Sequence, residues 1–123
     1  MKIAKPIAAF LEAVNKHNSV ALLSVISNTA VVHDEGKDYR GITEIKKWSD
    51  EKVFGTNVTL EPISTREQDS KTIVTAKVDG SFDKTGLPDP LLLDFYFTSD
   101  ANKVTALSIH FPNPAFRSGV NGN

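Results

Sequence analysis

Two adjacent carboxylates, Asp34 and Glu35, follow the apolar run Ala30-Val31-Val32 and the imidazole of His33. A carboxyl group shuttles protons best when water reaches it poorly, because burial raises its pKa from about 3.9 towards the working pH. Neighbouring side chains on a strand point to opposite faces, so Asp34 and Glu35 do not make a cooperating pair. Asp34 is the candidate acid or base, and its bland alternative is a turn residue accepting backbone amides. Glu35 falls at the solvated end of the strand, and alternation turns His33 away to the surface or an interface. Tyr39 and Arg40 flank a helix start and are placed to rim a mouth. There Arg40 either holds a carboxylate bidentately or pairs with Asp34, Glu35 or Asp38.

The stretch that must position these groups is AVVHDEGKDYRGITEIKKW, residues 30–48. It reads as a short strand, a polar turn in which Gly36 tolerates positive φ, and an amphipathic helix over about 41–52. Ile42, Ile45 and Trp48 form the helix's apolar stripe, which makes Trp48 core or pocket wall. Upstream, Ile3, Ile7, Phe10, Leu11 and Val14 share one helical face, and Pro6 is tolerated in that helix's first turn. Asn18 or Ser19 caps a second, short helix. Its residues Val20, Leu22, Leu23 and Ile26 are nearly apolar all round and predict burial.

Beyond Gly55 the period drops towards two. Val58 and Leu60 begin one strand, and Pro62 bends it or places it at an edge. Val74, Ala76 and Val78 alternate with Thr75, Lys77 and Asp79 in the next. Residues 83–90, DKTGLPDP, are a loop. Leu91, Leu93, Phe95 and Phe97 then face one way, with Leu92, Asp94 and Tyr96 opposite. Leu107, Ile109 and Phe111 alternate with Ala106, Ser108 and His110 in the last strand. Helices followed by hairpins make an α+β order with an antiparallel sheet. One domain is expected over residues 1–113, followed by a polar tail over residues 114–123. Apolar side chains on the sheet's outer face, with Asp94, Tyr96 and His110 beside them, predict a homodimer through that face.

Composition narrows the function classes. The chain has 123 residues and a formal charge of −1, with its lysines and arginines scattered, which excludes a basic nucleic-acid surface. Cysteine is absent, and the histidines at 17, 33 and 110 lack ligand spacing, so no metal is expected. No stretch approaches the ~20 apolar residues that span a bilayer, and a cytoplasmic location is expected. The glycines form no phosphate loop or dinucleotide fingerprint, so no cofactor is expected.

The order of elements and the segment SNTAVVHDEGKDYRGITEIKKW resemble the nuclear transport factor 2-like superfamily in its SnoaL-like branch. The closing strand pair LDFYFTSDANKVTALSIHF carries the same resemblance, which spans about residues 3–112. It implies a cone-shaped curved sheet wrapped around three N-terminal helices, an α+β roll with a pocket at its open end and frequent dimerisation. Among the relatives so implied are ketosteroid isomerases, and on their pattern Asp34 takes the place of the proton-shuttling carboxylate. Their catalytic tyrosine position holds Phe10 here, and the two supporting tyrosines fall on Ile26 and Ser49. Their second acid falls at Leu93, or at Asp94 after a one-residue shift. A missing oxyanion donor costs roughly 2.7–4 kcal/mol in comparable sites, which argues against steroid isomerisation.

Two functions are expected to compete. The first is a SnoaL-like small-molecule binder with an apolar pocket lined by Phe10, Val14, Tyr39, Trp48, Phe95, Leu107 and Phe111. Asp34 is its acid/base or its polar anchor; any reaction would be an isomerase-, cyclase- or lyase-like proton transfer on an apolar substrate. The second is a non-catalytic dimeric module whose cone is plugged by the same aromatics and which acts through its outer sheet surface.

Overall fold

A computed structural model describes residues 3–112, so the expected tail over 114–123 lies outside the described residues. Helix α1 (Lys5–Asn15) buries Ile7, Phe10, Leu11 and Val14 along the predicted stripe. Its last residue has a second use. The Asn15 carboxamide donates to the carbonyl of Leu60 at 2.8 Å and accepts from the Leu60 amide at 2.7 Å, as a neighbouring strand would.

Helix α2 (Ser19–Ser24) is capped by Asn18, whose side chain accepts from the Ala21 amide at 3.0 Å. The expected burial of this helix is not found. Leu22 alone is buried in it, Val20 is 81% exposed, and Ile26 already belongs to strand β1 (Ile26–Asp34). A six-residue helix has room for little more than one inward position, so its apolar composition overstates its burial.

Strand β1 turns through Glu35 (φ 53°) and Gly36 (φ 77°) into β2 (Lys37–Arg40), which the sequence analysis took for polar turn. Two central residues at positive φ match the handedness of a tight hairpin. Helix α3 (Gly41–Trp48) follows, and the chain then widens into a π-helical turn, Ser49–Phe54. The remaining strands are β3 (Thr59–Gln68), β4 (Lys71–Asp79), β5 (Leu92–Ser99) and β6 (Val104–His110).

The six strands form one curved sheet in the order β2-β1-β6-β5-β4-β3. The α+β class is as expected, but the sheet is mixed, because β1 and β6 run parallel. Hairpins oblige β3 to β6 to alternate in direction. No tight turn links β1 to β6, so nothing local sets their relative direction. Strand β3 is an edge, and its register shifts between Pro62 and Ser64. Helix α1 lies across β3, β5 and β6, while α3 packs on β1 and β2. Between them is the core, where Phe10 meets Phe97 edge-on at 5.2 Å.

Candidate functional site

The helices do not fill the sheet's concavity. A cavity of about 580 Å³ remains, comparable with pockets that hold small organic ligands. Its floor is Phe10 and Val14 of α1 with Leu93 and Phe95 of β5. One wall is Trp48 with Lys52 and Val53 of the π-helical turn and Thr56 just after it, and the opposite side includes Val58, Leu60 and Val78. Ile109, His110 and Phe111 border it where β6 ends, and Phe111 is 60% exposed there.

Asp34 lies in this wall at the end of β1. Val32, its neighbour on the same face, is 2% exposed, and Asp34 is half-buried. Trp48 donates its indole Nε1–H to Asp34 Oδ2 at 3.0 Å, which fixes the carboxyl from the adjoining helix. Burial pushes the Asp34 carboxyl above the ordinary aspartate value, and the negative charge of Glu35 adds to this. The indole bond, Lys52 and His33 pull the other way. Lys52 sits at the cavity and pairs with Glu35 at 3.5 Å. Sequence reasoning missed it because a lysine within a helical run reads as solvent-facing. The wider π-helical path starts where α3 ends at Trp48, and Lys52 and Val53 on it both line the cavity.

Of the residues expected to line the pocket, Phe10, Val14, Asp34, Trp48, Phe95 and Phe111 do so. Leu107 is buried among core side chains, and Tyr39 pairs across from Val32 and tilts against Trp48 at 6.3 Å; neither reaches the cavity. Arg40 pairs with Asp38 at 3.0 Å, the ion-pair alternative expected for it, and does not line the cavity. A whole further wall comes from residues that their sequence pattern did not mark. Phe82, Asp83, Thr85, Leu87 and Leu91, from the connection between β4 and β5, all line the cavity. Two apolar residues inside the polar stretch SFDKTGLPDP were the available signal. That connection is docked where Ser81 donates its amide to the Thr56 carbonyl at 2.7 Å. A Cβ on Gly80 would fall 2.7 Å from the same oxygen, so only glycine allows this approach.

The outer face carries a separate polar row. Asp94 does not enter the cavity: it is fully buried on the outer side, accepting from Thr75 at 2.5 Å and pairing with Arg66 at 3.4 Å. Leu93, beside it, faces the cavity, so no second acid joins Asp34 from this strand. His33, which with His110 reaches the cavity rim as well as this face, is hydrogen-bonded to Asp38 at 2.6 Å and stacks on His110 at 5.7 Å. Tyr96 meets His110 edge-on at 5.4 Å, and Ser108 is hydrogen-bonded to His110. Among the described residues no cluster of three or more histidine and acidic side chains could hold a metal. No helix among them is long and apolar enough to cross a membrane.

No family model matches the chain, and no curated protein does. Solved structures match over nearly their whole length. A Sinorhizobium meliloti protein, provisionally described as a polyketide cyclase, is 25% identical with a TM-score of 0.77, covering 88% of this chain and 95% of its own. A nuclear transport factor 2-like protein of Cytophaga hutchinsonii is 9% identical with a TM-score of 0.69, covering 94% and 96%. A Δ5-3-ketosteroid isomerase from a Mycobacterium species is 13% identical with a TM-score of 0.67, covering 87% and 90%. The chain therefore has a nuclear transport factor 2-like fold, and it is similar to SnoaL-like and ketosteroid isomerase-like proteins.

Proposed function

We propose that this chain binds a small, largely apolar molecule in the cavity and presents Asp34 to it as acid/base or polar anchor. The observation that carries this reading is a partly desolvated carboxyl, held by Trp48, in the wall of a hollow of about 580 Å³. A plugged cone would have filled that hollow at interior density. Aromatic and aliphatic side chains supply contact area, and a few polar groups supply orientation, which is the usual make-up of a ligand site. Any chemistry would be proton transfer at Asp34, of the isomerase, cyclase or lyase kind. Phe10 offers no hydrogen bond to an oxyanion, so steroid isomerisation is not proposed. The test uses an uncharged fluorescent apolar probe, N-phenylnaphthylamine. It should bind the native chain at one saturable site, and Leu93→Trp, which fills the cavity, should weaken binding at least about tenfold. Binding that Leu93→Trp leaves unchanged would place the probe elsewhere and sink the reading.

The outer face supports a second proposal, compatible with the first: a homodimer. Tyr96, His110 and His33 form a ring cluster on the side of the sheet that the helices leave uncovered, next to half-buried Leu92. Such faces are commonly closed by a second copy.

A further inference from the structure

The cavity's charged groups are unbalanced. Asp34, Glu35 and Asp83 line it, against Lys52, whose ammonium already pairs with Glu35, and the imidazoles of His33 and His110, which are hydrogen-bonded to Asp38 and Ser108. The other side-chain donors on its walls are engaged. Trp48 donates to Asp34, Thr56 to the carbonyl of Lys52, and Thr85 to Asp83. At Asp34 itself, Oδ2 receives the indole N–H, while Oδ1 receives no hydrogen bond from any described residue. A partly desolvated carboxylate with one open oxygen is completed best by a cationic donor, since charge-assisted hydrogen bonds are about twice as strong as neutral ones. Trp48, in contact with Asp34, and Phe10 and Phe95 elsewhere on the cavity lining add ring surface that a cation tolerates and an anion does not.

We infer that the ligand is an apolar amine, whose protonated nitrogen sits against Asp34 Oδ1 while its hydrocarbon body fills the space above Phe10, Leu93 and Phe95. This rests on the ligand-binding reading above and names the chemical class the pocket takes. An apolar acid would meet three carboxylates with one committed lysine in reply. An apolar alcohol could reach Oδ1 but would leave the charge unmatched.

The experiment compares three molecules sharing one body, phenylbutylammonium, phenylbutanol and phenylbutyrate, as competitors of bound N-phenylnaphthylamine at neutral pH and about 0.15 M salt. The ammonium should compete about tenfold better than the alcohol, and the carboxylate worst. In Asp34→Asn the advantage of the ammonium over the alcohol should vanish while the alcohol itself competes as before. Should that variant not fold, the native chain gives a second readout. Carbon-detected NMR titration should find the Asp34 carboxyl pKa lowered by phenylbutylammonium and unmoved by phenylbutanol. An order led by the alcohol or the carboxylate, an advantage that survives in Asp34→Asn, or an Asp34 pKa indifferent to the amine would overturn the inference. If N-phenylnaphthylamine still bound in any of those cases, the cavity would stand as a ligand site of another class; failure of that probe to bind would fell both readings.

Discussion

Asp34 is where local chemistry and global stability meet. Its carboxyl is raised by burial against a partial counterweight from the Trp48 indole. In the unfolded chain the group returns to the ordinary aspartate value. Stability linked to it is therefore present in full below that value and is lost as pH rises through the raised one. At neutral pH the buried charge is a net cost. Asp34→Asn keeps an oxygen to accept from Trp48 and removes the charge, so it should melt higher than the native chain at neutral pH. The gap should close as the solution is acidified below the ordinary aspartate range. Melting curves at several pH values check this, and a variant that melts lower at every pH would contradict it. The sequence left Asp34 open between a turn and the pocket, because at a strand's end alternation loses its force: His33, Asp34 and Glu35 all border the cavity. Its partner was not legible. Trp48 showed in the sequence as the end of a helical stripe, but no spacing rule says that an indole N–H fourteen positions on will meet that oxygen.

At the scale of elements, the Asn15 carboxamide caps the edge of the sheet. Strand β3 offers backbone groups to solvent on its outer side, and an open edge invites pairing with other chains. Asn15 satisfies both groups of Leu60 and ties α1 to that edge. Asn15→Ala should lower stability by about 1–3 kcal/mol, measured by chemical denaturation. The loss should come with faster amide exchange at Leu60. Elements with strong periodicity, α1 and strands β4 to β6, were readable from the chain. Strand β2 was not, because Lys-Asp-Tyr-Arg is four residues long and polar, and only its Glu35-Gly36 turn announced a hairpin. The parallel β1–β6 pair was equally silent, since strand direction there depends on how the whole sheet closes. The connection between β4 and β5 read as punctuation and proved to be a wall.

For the whole molecule, two surfaces of the same sheet differ in make-up. The inner one surrounds the cavity. The outer one holds the Tyr96, His110 and His33 rings and the buried Asp94–Thr75 pair. If the second copy sits there, sedimentation velocity at micromolar concentration should give a dimer. Tyr96→Arg should then shift it to monomer by placing charge in the contact. A native chain that sediments as a monomer at every concentration would remove the dimer. That the fold is an α+β roll could be read from pattern and resemblance. A pocket was implied by the resemblance, but the residue pattern alone left it open, because Phe10, Val14 and Phe95 have the same spacing whether they plug a cone or line it.

The connection docked through Gly80 and Ser81 gives the cavity a replaceable panel. Five of the residues that bound the hollow sit on a stretch joining two strands, and of these only Leu91, whose carbonyl accepts from the Val78 amide, is bonded to a strand backbone. Exchanging residues 82–87 would redraw the volume and polarity of the chamber while leaving every strand in its present alignment. On the ligand-binding reading, a library confined to those six positions would retune what the cavity admits while leaving the scaffold alone.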